Sequence, residues 1–269
     1  MPSPPRPLKR LGQHFLVDPN IVRKIVAAAA VQPGETVLEI GPGRGALTRA
    51  LCAVAKQVVA VELDQKLGDY LKEQLRDCHN LDLRLGDALE FPYATLPEGT
   101  VVVANLPYYV STPVLFKLLE ARQRIDRMVL MLQTEVARRL TAKPGSSDYG
   151  ILSVLTQVAA EPSLAFRVSP NCFCPKPDVG STVVSLVMRR QHVVPAEDEA
   201  RFVRTVRAAF AHRRKTLANS LRDEGLRAEQ VAKALARTGI VPSRRAETLS
   251  IEEFAALAAA LVLNARASS

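Results

Sequence analysis

Between residues 36 and 133 the chain alternates two kinds of hydrophobic pattern. Short runs rich in β-branched residues (TVLEIG, QVVAVELD, LDLRLGDAL, TVVVANL and RMVLMLQ) are separated by stretches such as 46–55 and 65–77, where apolar positions recur at helical spacing. A short aliphatic run suits a strand buried on both faces, and the 3.6-residue period suits a helix lying over it. Strands and helices in alternation predict a parallel sheet wrapped by helices. Around residue 195 the pattern changes. After VVPAEDEA the β-branched runs stop, and alanine- and arginine-rich helical segments follow, punctuated by Gly225, Gly239 and Pro242. The expected organisation is a basic N-terminal segment with an α/β domain over 1–194 and a small all-helical domain over 195–269. FAALAAALVL, near the C-terminus, reads as a buried helix face.

In an open parallel sheet, ligands sit beyond the carboxyl ends of the strands. Those ends carry Glu39-Ile40-Gly41, Glu62-Leu63-Asp64, Gly86-Asp87 and Asn105-Leu106-Pro107-Tyr108. The loop EIGPGRGALT places Gly41, Gly43 and Gly45 on the first strand-to-helix turn, where glycine permits tight turning and close backbone approach to a ligand. Gly41, Gly43 and Ala46 also satisfy the loose dinucleotide fingerprint, so a nicotinamide oxidoreductase is a rival reading at this point. Glu62, about twenty residues after Gly41, is placed to accept from ribose hydroxyls. Asp87 suits an adenine amino group, and Glu39 adds negative potential beside the loop. Such acids favour a cation over a pyrophosphate. S-adenosyl-L-methionine, a sulfonium carrying adenosine and an amino acid, fits that requirement.

The fourth strand end, VVVANLPYYVSTP, closes a buried strand with an amide, a proline and two tyrosines. Adenine N6 is a poor nucleophile because its lone pair is delocalised into the ring. If the Asn105 side-chain oxygen and the Leu106 carbonyl each accept one N6 hydrogen, the nitrogen can pyramidalise and aim its lone pair at a methyl donor. That gain arises mainly in the transition state. Pro107 holds the turn, and Tyr108 offers a stacking face for an extruded base, worth roughly 1–3 kcal/mol. No strong general base is needed, because the N-methylated cation is acidic enough to lose its proton to water. NLPY and the basic C-terminal run are what the oxidoreductase reading leaves unexplained.

At 269 residues and 48% hydrophobic content the chain can bury a substantial core. A formal charge of +9 and a pI near 9.6 point to a polyanionic partner, nucleic acid first. Cys52, Cys78, Cys172 and Cys174 are too few and scattered for a disulfide framework, which implies a reducing compartment. Cys172 and Cys174 have no nearby histidine to complete a zinc set, so no metal is expected. MPSPPRPLKR lacks the apolar core of a signal peptide and no uncharged stretch reaches spanning length, so the expectation is a soluble, cytoplasmic protein without a membrane partner.

GQHFL, EIGPGRGALT, ELD, GDAL, NLPYYVSTP, FCPKPDVGST and AFAHRRKTLANSL, in this order, resemble the KsgA-type small-subunit ribosomal RNA adenine N6-dimethyltransferases along nearly the whole chain. The resemblance implies a Rossmann-like S-adenosylmethionine-dependent methyltransferase sheet with helices on both faces. It also implies two methyl transfers to each of two adjacent adenines near the 3′ end of 16S rRNA, within an immature small ribosomal subunit, by a monomer. Cofactor contacts would fall on His14, Leu16, Gly41, Glu62, Asp87 and Asn105. The target base would be held by Asn105, Leu106, Pro107 and Tyr108, with Phe173 opposite. Bacterial members often carry asparagine at the place of His14, so a backbone or ring-nitrogen contact is expected there. From Arg201 to Lys215 six basic residues occur without an acid, and Phe202, Val203, Val206 and Phe210 recur at helical spacing. The run reads as a basic helix whose Arg207, Arg213, Arg214 and Lys215 grip RNA phosphates without reading sequence. Two alternatives stay open: a large-subunit rRNA adenine methyltransferase of the antibiotic-resistance type, and an assembly factor in which catalysis is secondary.

Overall fold

The computed structural model describes residues 4–8, 12–191 and 193–261. The first half of the chain runs β1 (Phe15–Leu16), α1 (Pro19–Ala29), β2 (Thr36–Ile40), α2 (Ala46–Cys52), β3 (Gln57–Glu62), α3 (Gln65–Gln74), β4 (Leu81–Leu85), β5 (Thr100–Asn105), α4 (Ser111–Glu120), β6 (Ile125–Gln133) and α5 (Thr134–Leu140). Then follow α6 (Ile151–Ala159), β7 (Ala160–Val168), β8 (Phe173–Cys174), β9 (Ser181–Met188), α7 (Glu199–Phe210), α8 (Leu217–Asp223), α9 (Ala228–Thr238) and α10 (Ile251–Ala260). Residues 1–3 and 9–11 of the expected basic N-terminal segment, and the last two residues of FAALAAALVL, lie outside the described residues.

Two compact units result. One holds the chain up to Ala137 together with Glu161–Met188; the other holds Arg138–Ala160 together with the chain from Arg189 onward. The boundary expected at 194/195 therefore shifts to Met188/Arg189, and 138–160, read from sequence as part of the α/β domain, belongs with the helices. The reason is α6: it buries Leu152, Val154, Leu155 and Ala159, and packs against α7 and α10.

The first unit is built on a seven-stranded sheet in the order β4-β3-β2-β5-β6-β9-β7. β2 pairs in parallel with both β3 and β5, β3 with β4, and β5 with β6. β9 runs antiparallel to β6, with Met128 opposite Leu186. The aliphatic runs found in the sequence are the buried centre of this sheet: Val37, Leu38, Val58, Val101, Val102 and Val103 are all fully enclosed. The chain leaves β2 toward β3 and β4, then crosses back to β5 on the other side. This reversal opens a crevice beyond the carboxyl ends of β2 and β5.

Helix α1 starts at Asp18, whose carboxylate accepts from Asn20 N at 2.8 Å, with Pro19 at its first turn. It ends in left-handed Ala30 (φ 46°), a conformation that favours glycine. Arg127 on β6 satisfies the exposed helix end, donating from Nε to Ala29 O and from Nη2 to Ala30 O at 2.9 Å each, while Nη2 and Nη1 grip Glu35 at 2.7 and 2.8 Å.

In the second unit, α7 to α10 enclose Phe202, Val206, Leu221, Leu235 and Phe254. Phe210 stacks near Phe254 (5.7 Å between ring centroids). Gly239, at φ 68°, ends α9, and a reciprocal Ser250–Glu253 cap starts α10. Among the described residues no helix is long and apolar enough to cross a membrane, no cluster of histidine, cysteine or acid could hold a metal, and all four cysteines are free thiols.

Candidate functional site

A cavity of about 340 Å³ fills the crevice. Its floor is the glycine loop between β2 and α2. Gly41 and Gly43 take φ of 69° and 57°, and a Cβ on Gly43 would sit 2.9 Å from the Phe15 ring, so both handedness and space exclude a side chain there. Gly43 N donates to Glu62 Oε2 at 3.1 Å, and Asp64 N donates to Glu62 Oε1 at 2.9 Å. Two backbone donors thus fix the carboxylate at the end of β3, and each oxygen keeps a lone pair for a ligand.

Acids crowd this cavity. Glu39 and Glu62 are 1% and 5% exposed, and half-buried Asp87 is held by Leu89 N at 2.8 Å. Burial pushes the Glu62 carboxyl above its usual range, and the Asp64 and Gly43 N–H groups offset this only in part. Burial pushes Glu39 up to about 8; the Thr48 hydroxyl nearby lowers it in part, and repulsion from Glu62 raises it further. Glu39 Oε2 has no hydrogen-bond partner. A cation entering here would relieve this repulsion and an anion would add to it.

The segment 12–16 forms a strap along the cavity. Phe15 and Leu16 pair antiparallel with Cys174 and Phe173, and Val17 N donates to Cys172 O at 2.9 Å. Gln13 Nε2 reaches Asp64 Oδ2 at 3.4 Å, and Arg44 stacks its guanidinium 4.5 Å over Phe15 while donating to Pro5 O. His14 contributes twice. Its Nδ1 lies 2.8 Å from Pro175 O, which assigns that nitrogen the proton, and its carbonyl accepts from Asn105 Nδ2 at 3.2 Å.

That last bond orients the amide at the end of β5. With Nδ2 committed to the strap, Asn105 Oδ1 is left as an acceptor. Leu106 is buried, its N–H tied to Met131 O at 3.3 Å, and Val110 N closes the following turn on Pro107 O at 3.2 Å. The Tyr108 hydroxyl lies 2.7 Å from Ser181 Oγ on β9, and its ring centroid is 5.6 Å from that of His14.

The family described as Ribosomal RNA adenine dimethylase matches residues 7–262. The chain belongs to this family. Among its relatives, the Ribosomal RNA small subunit methyltransferase A of Moorella thermoacetica is 48% identical over 95% of this chain and 92% of its own. That of Geobacter metallireducens is 45% identical over 96% of each. Of solved structures, a dimethyladenosine transferase from Plasmodium falciparum superposes with a TM-score of 0.80 at 27% identity, covering 91% of this chain and 96% of its own. The 23S rRNA methyltransferase ErmE gives 0.71 at 28% identity, covering 92% and 99%. The Rossmann-like sheet expected of the family is the one found here.

Of the residues singled out from sequence, His14, Leu16, Gly41, Glu62, Asp87, Asn105, Leu106, Pro107 and Tyr108 come together around one cavity. Phe173 does not line it. It is 4% exposed, paired with Leu16 and packed into the core under α1, so this structure gives it a core position rather than one opposite Tyr108. The basic run also differs from expectation. Arg201, Arg204 and Arg207 lie on α7, but the helix stops at Phe210, and Arg213, Arg214 and Lys215 occupy a turn before α8. Lys215 is paired with Asp223 at 2.5 Å and His212 with Glu224 at 3.3 Å. Arg207, Arg213 and Arg214 are exposed and form no ion pair among the described residues. Ser181 and Gln13 were not singled out, because only their contacts across 73 and 51 residues identify them.

Proposed function

We propose that this chain is an S-adenosylmethionine-dependent small-subunit rRNA adenine N6,N6-dimethyltransferase. It modifies two adjacent adenines near the 3′ end of 16S rRNA, acting as a monomer on an immature small subunit in the cytoplasm. The observation that carries the reading is the Asn105–His14 bond, which leaves a fixed acceptor oxygen at the end of β5, above an acid-lined cavity. The small-subunit naming of the relatives at 45% and 48% identity supports the choice of RNA.

The residues present fit the cofactor. The buried acid pair Glu39 and Glu62, with Glu39 Oε2 unpartnered, disfavours an anion and suits a sulfonium, the carboxylate of Glu62 suits a ribose diol, and Asp87 suits an adenine amino group. S-adenosylmethionine supplies an electrophilic methyl group. Asn105 Oδ1 and the Leu106 carbonyl accept the N6 hydrogens of the target, two before the first transfer and the one that remains before the second, drawing the nitrogen out of conjugation, an effect strongest in the transition state. Tyr108 provides the ring face for the extruded base. The proton released from N6 goes to water.

The test is incubation with labelled S-adenosylmethionine and unmethylated small or large subunits, followed by mapping of the product. Label in dimethyladenosine at two neighbouring positions near the 3′ end of 16S rRNA is expected. Label confined to 23S rRNA would overturn the assignment.

A further inference from the structure

Pro107 is followed by two tyrosines that the fold treats differently. Tyr108 turns inward, half-buried, with its hydroxyl on Ser181. Tyr109 lines the mouth of the same cavity and remains 49% exposed. Its ring is backed by the strap: Cδ1 lies 3.9 Å from where a Cβ on Gly12 would stand, and Gly12 at φ 51° presents only its backbone there. The backbone around it is fixed by the turn that Val110 N closes on Pro107 O at 3.2 Å. A half-exposed aromatic ring therefore lines the cavity one residue beyond the face assigned to the target base.

We propose that Tyr109 is a stacking subsite for the nucleobase next to the target adenine; this rests on the base-holding role of Asn105–Tyr108 given above. Extruding one base leaves its neighbour without a stacking partner, and an aromatic side chain restores part of that contact. The neighbour is here the other of two target adenines, so the subsite must accept it both before and after methylation. A ring face does so, because stacking makes no use of the N6 hydrogens, whereas the Asn105 and Leu106 acceptors require them. Tyr109 thus holds whichever adenine is not reacting.

The experiment uses small subunits rebuilt with a 3′-terminal RNA fragment in which the nucleotide on one side or the other of a single target adenine is intact or abasic. Single-turnover methylation of the remaining adenine is measured with the parent, Tyr109→Phe and Tyr109→Ala, the melting temperature of each confirming its fold. In the parent and in Tyr109→Phe, an abasic neighbour on one side should lower kcat/KM by about tenfold to a hundredfold, the span of one base–aromatic stack. Tyr109→Ala should show that loss on the intact RNA and no further loss on the abasic one. Multiplicative losses, or parental rates from Tyr109→Ala on intact RNA, would remove the subsite. A parent that leaves the intact control unmethylated would instead overturn the proposed function, and this subsite with it.

Discussion

The hydroxyl of Tyr108 and the Oγ of Ser181 lie 2.7 Å apart, joining the turn after β5 to the first residue of β9. Ser181 is 1% exposed, so the bond is sheltered from water and sets where the Tyr108 ring stands. Tyr108→Phe and Ser181→Ala should each slow single-turnover methylation only a few-fold, and the double variant should be no slower than either single one. Tyr108→Ala, which removes the ring, should lose roughly tenfold to a hundredfold. Additive losses in the Phe/Ala double variant would show that the bond does not position the ring.

Asn105 is expected to act on the chemical step. Asn105→Ala should lower turnover by roughly 10²–10³ at saturating S-adenosylmethionine, the loss seen when one transition-state hydrogen-bonding group is removed. Subunit affinity should change far less. Near-parental turnover would exclude the N6-acceptor role.

The buried acids make a prediction about pH. The Glu39 carboxyl rises from 4.5 to about 8 on folding, so between those values the native state keeps a proton that the unfolded chain has lost. Stability without cofactor should therefore fall as pH rises from about 5 to about 8.5, by at most a few kcal/mol. Glu39→Gln should flatten the profile and be the more stable protein at the alkaline end. Urea melts across the range decide this; parallel profiles would mean that Glu39 does not hold the proton.

The turn after α7 predicts an unequal ranking among its cations. Arg213→Ala and Arg214→Ala should each weaken subunit binding and flatten its dependence on salt, because each cation releases counterions from phosphate. Lys215→Ala should do less, since Asp223 already neutralises it. Equal salt slopes for parent and all three variants in filter binding would make the run an ordinary solvated surface.

Phe173 offers a direct contest between a core and a stacking role. Its burial predicts that Phe173→Ala lowers stability by roughly 3–5 kcal/mol. Phe173→Leu should keep most activity. A Leu variant that is stable yet has lost turnover would return Phe173 to the base.

Much of this was legible in the chain because the informative residues sit at strand ends. The runs before Gly41, Glu62 and Asn105 are buried on both faces, while LDLRL before Asp87 is the half-exposed edge strand of the sheet, and all four read as strands without tertiary knowledge. β7 did not read that way: AEPSLAFRV has Pro162 in it and is mostly exposed along its length, so no period of two marks it. The membership of 138–160 in the helical unit depends on which helix buries Leu152 and Leu155, and local pattern carries no such information. The length of α7 was overestimated because arginine and alanine favour helix, yet the helix ends at Phe210, with Ala211 N on Ala208 O in a closing turn. His14, expected at the cofactor, lines the cavity, and its carbonyl and ring also serve Asn105 and Pro175, contacts spanning 91 and 161 residues that no local pattern shows.

The bond from Asn105 Nδ2 to the His14 carbonyl has one more consequence. An amide free to rotate could offer a bound base either its oxygen or its nitrogen, and would welcome guanine, with a carbonyl at C6, as readily as adenine. Tethered by the strap, it offers only oxygen, so a guanine would meet lone pair against lone pair. If this oxygen accepts from the target base as proposed, the choice between two purines rests on a segment ninety residues away, and the acceptor loses its partner once N6 has no hydrogen left to give.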